Sequence, residues 1–303
     1  MVPTAFLVTV AVFLLIHLTP GDPAAVILAE SYTPQAAAAI HQDLGLDKPL
    51  PEQYLFYIGR MFHGDLGRSV RNKLPVTQAI GERVNATLEL GFAALLWSLL
   101  VAIPLGTLAA LRRGRAPDII ASGLTVAGIS VPNFVLGILL ILVLGLLLRA
   151  LPVGGYIALG DSVPDNLSHV IMPAVALGTF GAASTMRFTR SSMIEVLNQD
   201  YIRTARAKGA GAWRVVNRHA LKNALIPVVT IVGLQVGAIL EGALVTETVF
   251  SWPGVGKLAV ESIFSRDFPV VQGIVLLSAL SYMFANLLVD LVYAWLDPRI
   301  SYS

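Results

Sequence analysis

The chain has 303 residues, of which 55% are hydrophobic and 13% charged, and a net charge of +2. Soluble domains carry about 25% charged residues, so this composition excludes an ordinary soluble globule and points to a polytopic helical membrane protein. So small a net charge gives no sign of a nucleic-acid partner, and none is expected. The absence of cysteine excludes disulfides, thiolate metal sites and cysteine nucleophiles.

Backbone polar groups in lipid must be satisfied within their own element, so each long apolar run predicts a helix. Six spans are predicted, at about Val2–Leu18, Leu88–Leu111, Ile119–Leu148, Val170–Met186, Leu225–Val245 and Val270–Trp295. The first starts at the initiator Met with no basic residue before it, as though a cytoplasmic leader were absent. A cleaved signal peptide is the rival reading, disfavoured by the missing basic region and by Pro20-Gly-Asp-Pro23, a poor cleavage site. Residues 19–87 are expected to form an external amphipathic helical cap. Helices start at Pro34 and run through Glu52–Phe62, with turns at Lys48-Pro49 and Gly64-Asp65. Residues 88–303 are expected to form a five-span core, and the third of the six spans, Ile119–Leu148, to bend at Pro132.

Basic residues set the orientation. Arg112, Arg113 and Arg115 crowd the second connection, and the fourth holds Arg187, Arg190, Arg203, Arg206, Lys208, Arg214, Arg218 and Lys222. These are eleven of the 21 Lys and Arg residues, whereas the third and fifth connections hold only Arg149, Lys257 and Arg266. The positive-inside rule therefore puts connections two and four, and both termini, in the cytoplasm.

Within the cytoplasmic loop at 187–224, Asp200 is expected to cap a helix over Tyr201–Lys208, and Gly209 to stop it. A second helix is expected from near Ala212 through Trp213, Val216 and Leu221. The small residues Ala205, Ala207, Gly209, Ala210 and Gly211 would let such a knob approach a partner closely. The plainer reading of this loop is a basic surface resting on anionic headgroups.

Charged residues near spans are costly and usually face a bundle interior or pathway. Glu89 lies at a span end and reads as interfacial, Glu241 as pathway or helix-packing, and Asp290 as structural. Gly254-Val-Gly-Lys257 is not a phosphate loop, because Ser251 and Leu258 occupy its required Gly and Ser/Thr positions. His17, His41, His63, His169 and His219 show no ligand spacing, and Asn85-Ala-Thr87 and Asn166-Leu-Ser168 match the glycosylation pattern by chance. Gly106, Gly123, Gly128, Gly137 and Gly178 suit close helix packing, while Pro132 and Pro173 could serve as flexing points.

The segment Asp200-Tyr-Ile-Arg-Thr-Ala-Arg-Ala-Lys-Gly209 with Arg218-His-Ala-Leu-Lys-Asn-Ala-Leu-Ile-Pro227 resembles the Glu-Ala-Ala (EAA) loop of ATP-binding-cassette (ABC) importer permeases. Ala205, Gly209 and Leu221 match that pattern, Trp213 stands where an aromatic is frequent, and Arg203 and Lys222 replace its Glu and Pro. Those replacements are characteristic of the dipeptide/oligopeptide/nickel branch. Pro20-Gly-Asp-Pro23, Gly45-Leu-Asp-Lys-Pro49, Gly64-Asp-Leu-Gly-Arg-Ser69, Ser130-Val-Pro-Asn-Phe-Val-Leu-Gly137, Glu247-Thr-Val-Phe-Ser-Trp-Pro-Gly-Val-Gly256 and Leu296-Asp-Pro-Arg-Ile300 resemble the first permease subunit of that branch, in order along the chain.

The resemblance implies a six-span type I importer fold with a helical external cap, in a bacterial inner membrane. It implies a binding-protein-dependent permease for peptides or a related small solute (glutathione, a nickel chelate) that acts by alternating access, binds no cofactor itself and is no enzyme. ATP and Mg would sit on two partner ATPase subunits, beside a homologous second permease, an extracytoplasmic solute-binding protein and membrane lipid. Tyr201, Arg203, Thr204, Ala205, Lys208, Gly209, Ala210 and Trp213 would couple to the ATPases; Glu241, Pro132 and Asn133 are candidates for the pathway. The alternatives are a proton-coupled secondary transporter using Glu241 or Asp290, disfavoured by the lack of an internal repeat, and a non-transporting scaffold.

Overall fold

The computed structural model describes residues 2–18, 24, 28, 33–35, 37–38, 41, 45 and 47–296, without the side chains of residues 2, 15–18, 238, 240, 241 and 288–296. Pro20–Pro23, most of the helix expected after Pro34 and the segment after Leu296 lie outside the described residues. The helices are α1 (Val2–Leu18), α2 (Leu50–Phe62), α3 (Val76–Leu111), α4 (Ala116–Ser130), α5 (Asn133–Leu140), α6 (Val163–Leu197), α7 (Asp200–Ala207), α8 (Ala212–Arg214), α9 (Lys222–Val249), α10 (Val255–Phe264) and α11 (Phe268–Leu296). Wide π-type turns extend α5 over Ile141–Leu147 and join α8 to α9 over Val215–Leu221.

Four described helices are long and apolar enough to cross a membrane, and a fifth span results if α4 and α5 count as one. The sixth expected span is α1, whose 17 residues fall at the lower limit for crossing. The bend predicted at Pro132 is a break: α4 and α5 differ in direction by 104°. Pro132 forces Val131 out of the helical region (φ −88, ψ 120) and is itself extended. The helix of the second span begins at Val76, twelve residues earlier than predicted, so 76–87 are continuous with it.

The chain packs as two units, each described by itself. One comprises Met1–Thr87 with Pro253–Met283, the other Leu88–Trp252 with Phe284–Ser303. Pro253–Met283 therefore packs with the N-terminal residues. In the first unit Asp267, buried, accepts bonds from Ser69 Oγ at 2.5 Å and the Val70 N–H at 3.0 Å. This locks the Gly64–Ser69 turn to the start of α11. Partial burial would raise the Asp65 carboxyl, but the Gly67 N–H and the Arg60 guanidinium outweigh it and hold it below its usual range.

The second unit is built on a seam between α3 and α6. Ala94, Ser98, Ala102, Gly106 and Ala110 recur every four residues along one face of α3, and all are buried. Spacing of four keeps them on one face. A Cβ on Gly106 would sit 2.7 Å from the Met186 carbonyl oxygen, and one on Gly178 would overlap the Ala94 carbonyl oxygen. Gln235 of α9 joins the seam, donating to the Gly181 carbonyl at 3.0 Å and to Thr185 Oγ1 at 2.8 Å. Gly128 and Gly137 also make close approaches, whereas a Cβ on Gly123 meets nothing within 4 Å. Gly106→Ala should therefore lower stability by about 1–3 kcal/mol through overpacking. Gly123→Ala should leave it unchanged or raise it. Melting temperatures in detergent check both, and equal behaviour of the two variants would contradict the seam.

Candidate coupling site

The basic segment between α6 and α9 folds into two helical pieces meeting at Gly209. Gly209 has φ +80; its N–H donates to the Arg206 carbonyl at 2.9 Å, and the Ala210 N–H donates to the Ala205 carbonyl at 3.1 Å. These paired bonds end α7 in a Schellman turn, in which glycine takes the left-handed position without steric cost. Asp200, expected as the cap, is instead the first helical residue. Gln199 holds the cap position, and no side chain bonds the free N–H groups there. The Asp200 carboxylate still lies in the first turn, where it complements the helix dipole.

One side chain roots this elbow. Ile202 is 0% exposed and packs in a cluster with Ala110, Met193, Val215, Ala220 and Ala224. The last turn of α3, the end of α6 and both arms of the elbow thus share one apolar plug, and Ala210 and Leu221 pack against it. Asn223 adds a polar tie, donating to the Tyr201 hydroxyl at 2.9 Å and to the His219 carbonyl at 3.0 Å.

The predicted contact residues surround the root. Tyr201, Arg203, Thr204, Lys208, Gly209 and Trp213 are exposed, and Ala205 and Ala210 are half-buried. Trp213, at 81% exposure, stands out on a basic surface. The pair between Arg203 and Asp200, at 3.4 Å, joins two highly exposed side chains and contributes little. Among the described residues, Arg206, Lys208, Arg214 and Arg218 of the knob form no ion pair, and all four are exposed.

A second tie escaped sequence reading. Arg190 of α6 makes a two-pronged bond to Asp118 of α4, Nε to Oδ1 at 2.5 Å and Nη2 to Oδ2 at 2.9 Å. The Gly114 N–H also donates to Asp118 Oδ2, at 2.9 Å. Asp118 is 5% exposed, so this clamp fixes the second connection to the same end of α6 that carries the elbow. Asp118 precedes its partner by 72 residues, a separation that no local pattern reveals.

The pathway candidates are partly gathered. Pro132 is exposed at the break, and Asn133, half-buried, places Nδ2 3.5 Å from where a Cβ on Gly242 would lie. Asn133 thus meets α9 beside Glu241. The side chains of Glu241 and Asp290 lie outside the described residues. Glu89, read as interfacial, is held inside its unit by Tyr156 Oη at 3.0 Å and by Asn166 Nδ2. Asn166 is buried, so its amide serves packing. Tyr156 also stacks edge-on to buried Trp252, ring centroids 4.7 Å apart. Burial, then the bond to Glu89, pushes the Tyr156 phenol above its usual range. The Gly254–Lys257 run starts α10, with the Val255 N–H on Thr87 Oγ1 at 2.8 Å.

Comparison with known proteins decides the family. Residues 102–302 match the model of the binding-protein-dependent transport system inner membrane component, and residues 2–91 match the N-terminal model of the same transport systems. The chain belongs to this family. It is 44% identical to the dipeptide transport system permease protein DppB of Escherichia coli (strain K12), covering 100% of this chain and 96% of the relative. It is 44% identical, at the same coverage, to the glutathione transport system permease protein GsiC of Salmonella typhimurium. A solved amino acid ABC transporter with histidines matches the fold with a TM-score of 0.50 at 18% identity, over 72% of this chain and 94% of that one. The chain is thus a permease subunit of a dipeptide/oligopeptide-type ABC importer, a multi-pass protein of the inner membrane. These findings favour the importer subunit over a self-sufficient secondary carrier.

Rooting by Ile202 has a measurable consequence. Ile202→Ala should cost about 2–5 kcal/mol, as buried large-to-small changes do. The unfolding temperature in detergent should fall, while Arg203→Ala on the exposed face leaves it unchanged. An unaltered melt for Ile202→Ala would contradict the plug.

Proposed function

We propose that this permease moves peptides or a related small solute, such as glutathione, by alternating access driven by separate ATPase subunits. The substrate class is supported by the full-length similarity to permeases named for dipeptide and glutathione transport. A homologous second permease completes the pathway, and an extracytoplasmic solute-binding protein delivers the solute. Two ATP-binding subunits carry ATP and Mg, and this chain binds no cofactor and catalyses no reaction. Both termini lie in the cytoplasm, on the side of the basic second and fourth connections.

The observation that carries this reading is the elbow itself. An exposed basic knob bearing Trp213 is fixed through Ile202 to the ends of α3 and α6. When the ATPases close, the Tyr201–Gly211 knob moves with them and tilts the bundle between inward- and outward-facing arrangements. Asn133, Pro132 and Glu241 line the route where α5 meets α9.

Gly209→Leu tests the coupling. A branched side chain at φ +80 costs about 1–2 kcal/mol in that backbone region and should spoil the turn. The ATPase subunits should no longer co-purify and uptake should fall, while membrane insertion stays intact. Normal uptake would contradict a coupling role. In vesicles, the lone subunit should accumulate no peptide under an imposed proton gradient. Accumulation would instead support the secondary carrier.

A further inference from the structure

Helix α2 has three distinct faces, and only one of them is explained by the protein. Tyr54 and Tyr57 lie against α1, where Tyr54 Oη shares a 2.8 Å hydrogen bond with Thr9 Oγ1. The Tyr54 ring packs edge-on to Phe6 and Phe13, at 6.1 and 5.6 Å between centroids, and Tyr57 packs on Phe13 at 5.9 Å. A second face carries charge: Glu52, Phe56 and Arg60 recur every four residues, with Lys48 and Arg60 over the Phe56 ring at 5.8 and 5.9 Å. Arg60 is closed by Asp65 at 2.8 Å.

The third face is wholly apolar. Pro51, Leu55, Ile58 and Phe62 follow the spacing that keeps side chains on one side of a helix. Leu55 is 68% and Phe62 80% exposed, and Ile58 is half-buried. Aromatic and aliphatic side chains so exposed, in register on one stripe, need a covering partner.

The depth of α2 identifies that partner. Gln272 Nε2, one turn into the candidate span of α11, donates to the Val12 carbonyl of α1 at 2.9 Å. Thr9 lies nearly a turn beyond Val12 along α1, near the middle of that apolar helix. At 1.5 Å per residue, the Tyr54 hydroxyl therefore reaches about 10 Å past the span end. The Tyr54 side chain extends from α2 to reach that depth, which is the depth reached by amphipathic helices that rest at the boundary of headgroups and acyl chains with their apolar face buried.

We propose that α2 is an interfacial membrane anchor: its Pro51–Leu55–Ile58–Phe62 stripe is immersed in the acyl chains of the externally facing leaflet, and its Glu52–Arg60 face stays among headgroups and water. The choice of leaflet rests on the topology proposed above; the contact with acyl chains does not. Two features favour lipid as the occupant over another protein. The helix lies beside a membrane-crossing segment at bilayer depth, and its charged face is turned away from the apolar stripe. The anchor holds the Gly64–Ser69 turn and the Asp267 lock at a fixed height above the membrane.

The absence of cysteine makes a direct test available. In the assembled importer, reconstituted in liposomes with cysteine-free partner subunits, Leu55→Cys, Phe62→Cys and Glu52→Cys are each labelled with a nitroxide. Labels at 55 and 62 should collide more often with dissolved oxygen than with an aqueous nickel chelate, and the ratio should reverse at 52. Preferential collision with the chelate at 55 and 62 would overturn the proposal in favour of a water-exposed face. Exclusion of both reagents there would overturn it in favour of a protein partner. Should a cysteine variant fail to assemble, Leu55→Trp reports the same contact through quenching by lipids brominated on their acyl chains. Absence of added quenching relative to the parent chain would count against the anchor. Uptake by the same complexes, measured in parallel, separates failure of the anchor from failure of the transport reading.

Discussion

Helices in lipid gain nothing by burying apolar surface against each other, because the acyl chains are as apolar as the side chains. They associate through close van der Waals contact and hydrogen bonds between helices. The seam of α3 and α6 meets that constraint with small residues. Gly106 and Gly178 allow backbone to touch backbone, and Ala94, Ser98, Ala102 and Ala110 keep the line clear between them. Gln235 brings α9 into the same seam through Gly181 and Thr185, a bond worth about 0.6 kcal/mol in such a setting. Ser98 Oγ, Thr107 Oγ1, Thr189 Oγ1 and Gln235 Oε1 are buried without a hydrogen-bond partner among the described residues. Polarity in this unit is thus subordinate to close packing.

The elbow continues the seam. Its line of small residues ends at Ala110, and Ala110 with Met193 forms part of the pocket that receives Ile202. The Arg190–Asp118 clamp binds α4 to that same end of α6. A push on the exposed knob therefore acts on the ends of three helices at once. Packed interfaces of this kind are bistable and not continuously deformable, which suits a lever better than a flexible loop would.

Much of this was legible in the sequence where one residue type had one physical use. Gly209 was readable as a stop because glycine alone takes φ +80 without strain. Apolar runs marked the lipid-crossing parts of helices but not their ends. The polar Gln78, Glu82, Arg83 and Asn85 hid the fact that α3 starts at Val76. Pro132 announced a bend, yet the 104° break depends on where α4 and α5 find partners. Ile202 could have been noticed as the one aliphatic β-branched residue in a basic helix. The Asp118–Arg190 and Glu89–Tyr156–Asn166 contacts join distant segments, and no spacing rule reaches them. The periodicity of α2 was visible, but a repeat cannot tell which apolar face meets protein and which meets lipid.

The central claim is that force enters this bundle through one docked elbow whose exposed tip is Trp213. Cross-linking tests it most directly. With Trp213→Cys as the sole cysteine of this chain, and single cysteines placed along the membrane-facing cleft of an ATPase subunit, oxidation of the assembled importer should join the two chains. Uptake should stop on oxidation and return on reduction. If residue 213 instead remains fully open to an aqueous maleimide in an importer that is assembled and transporting, the elbow is not where the motor is engaged.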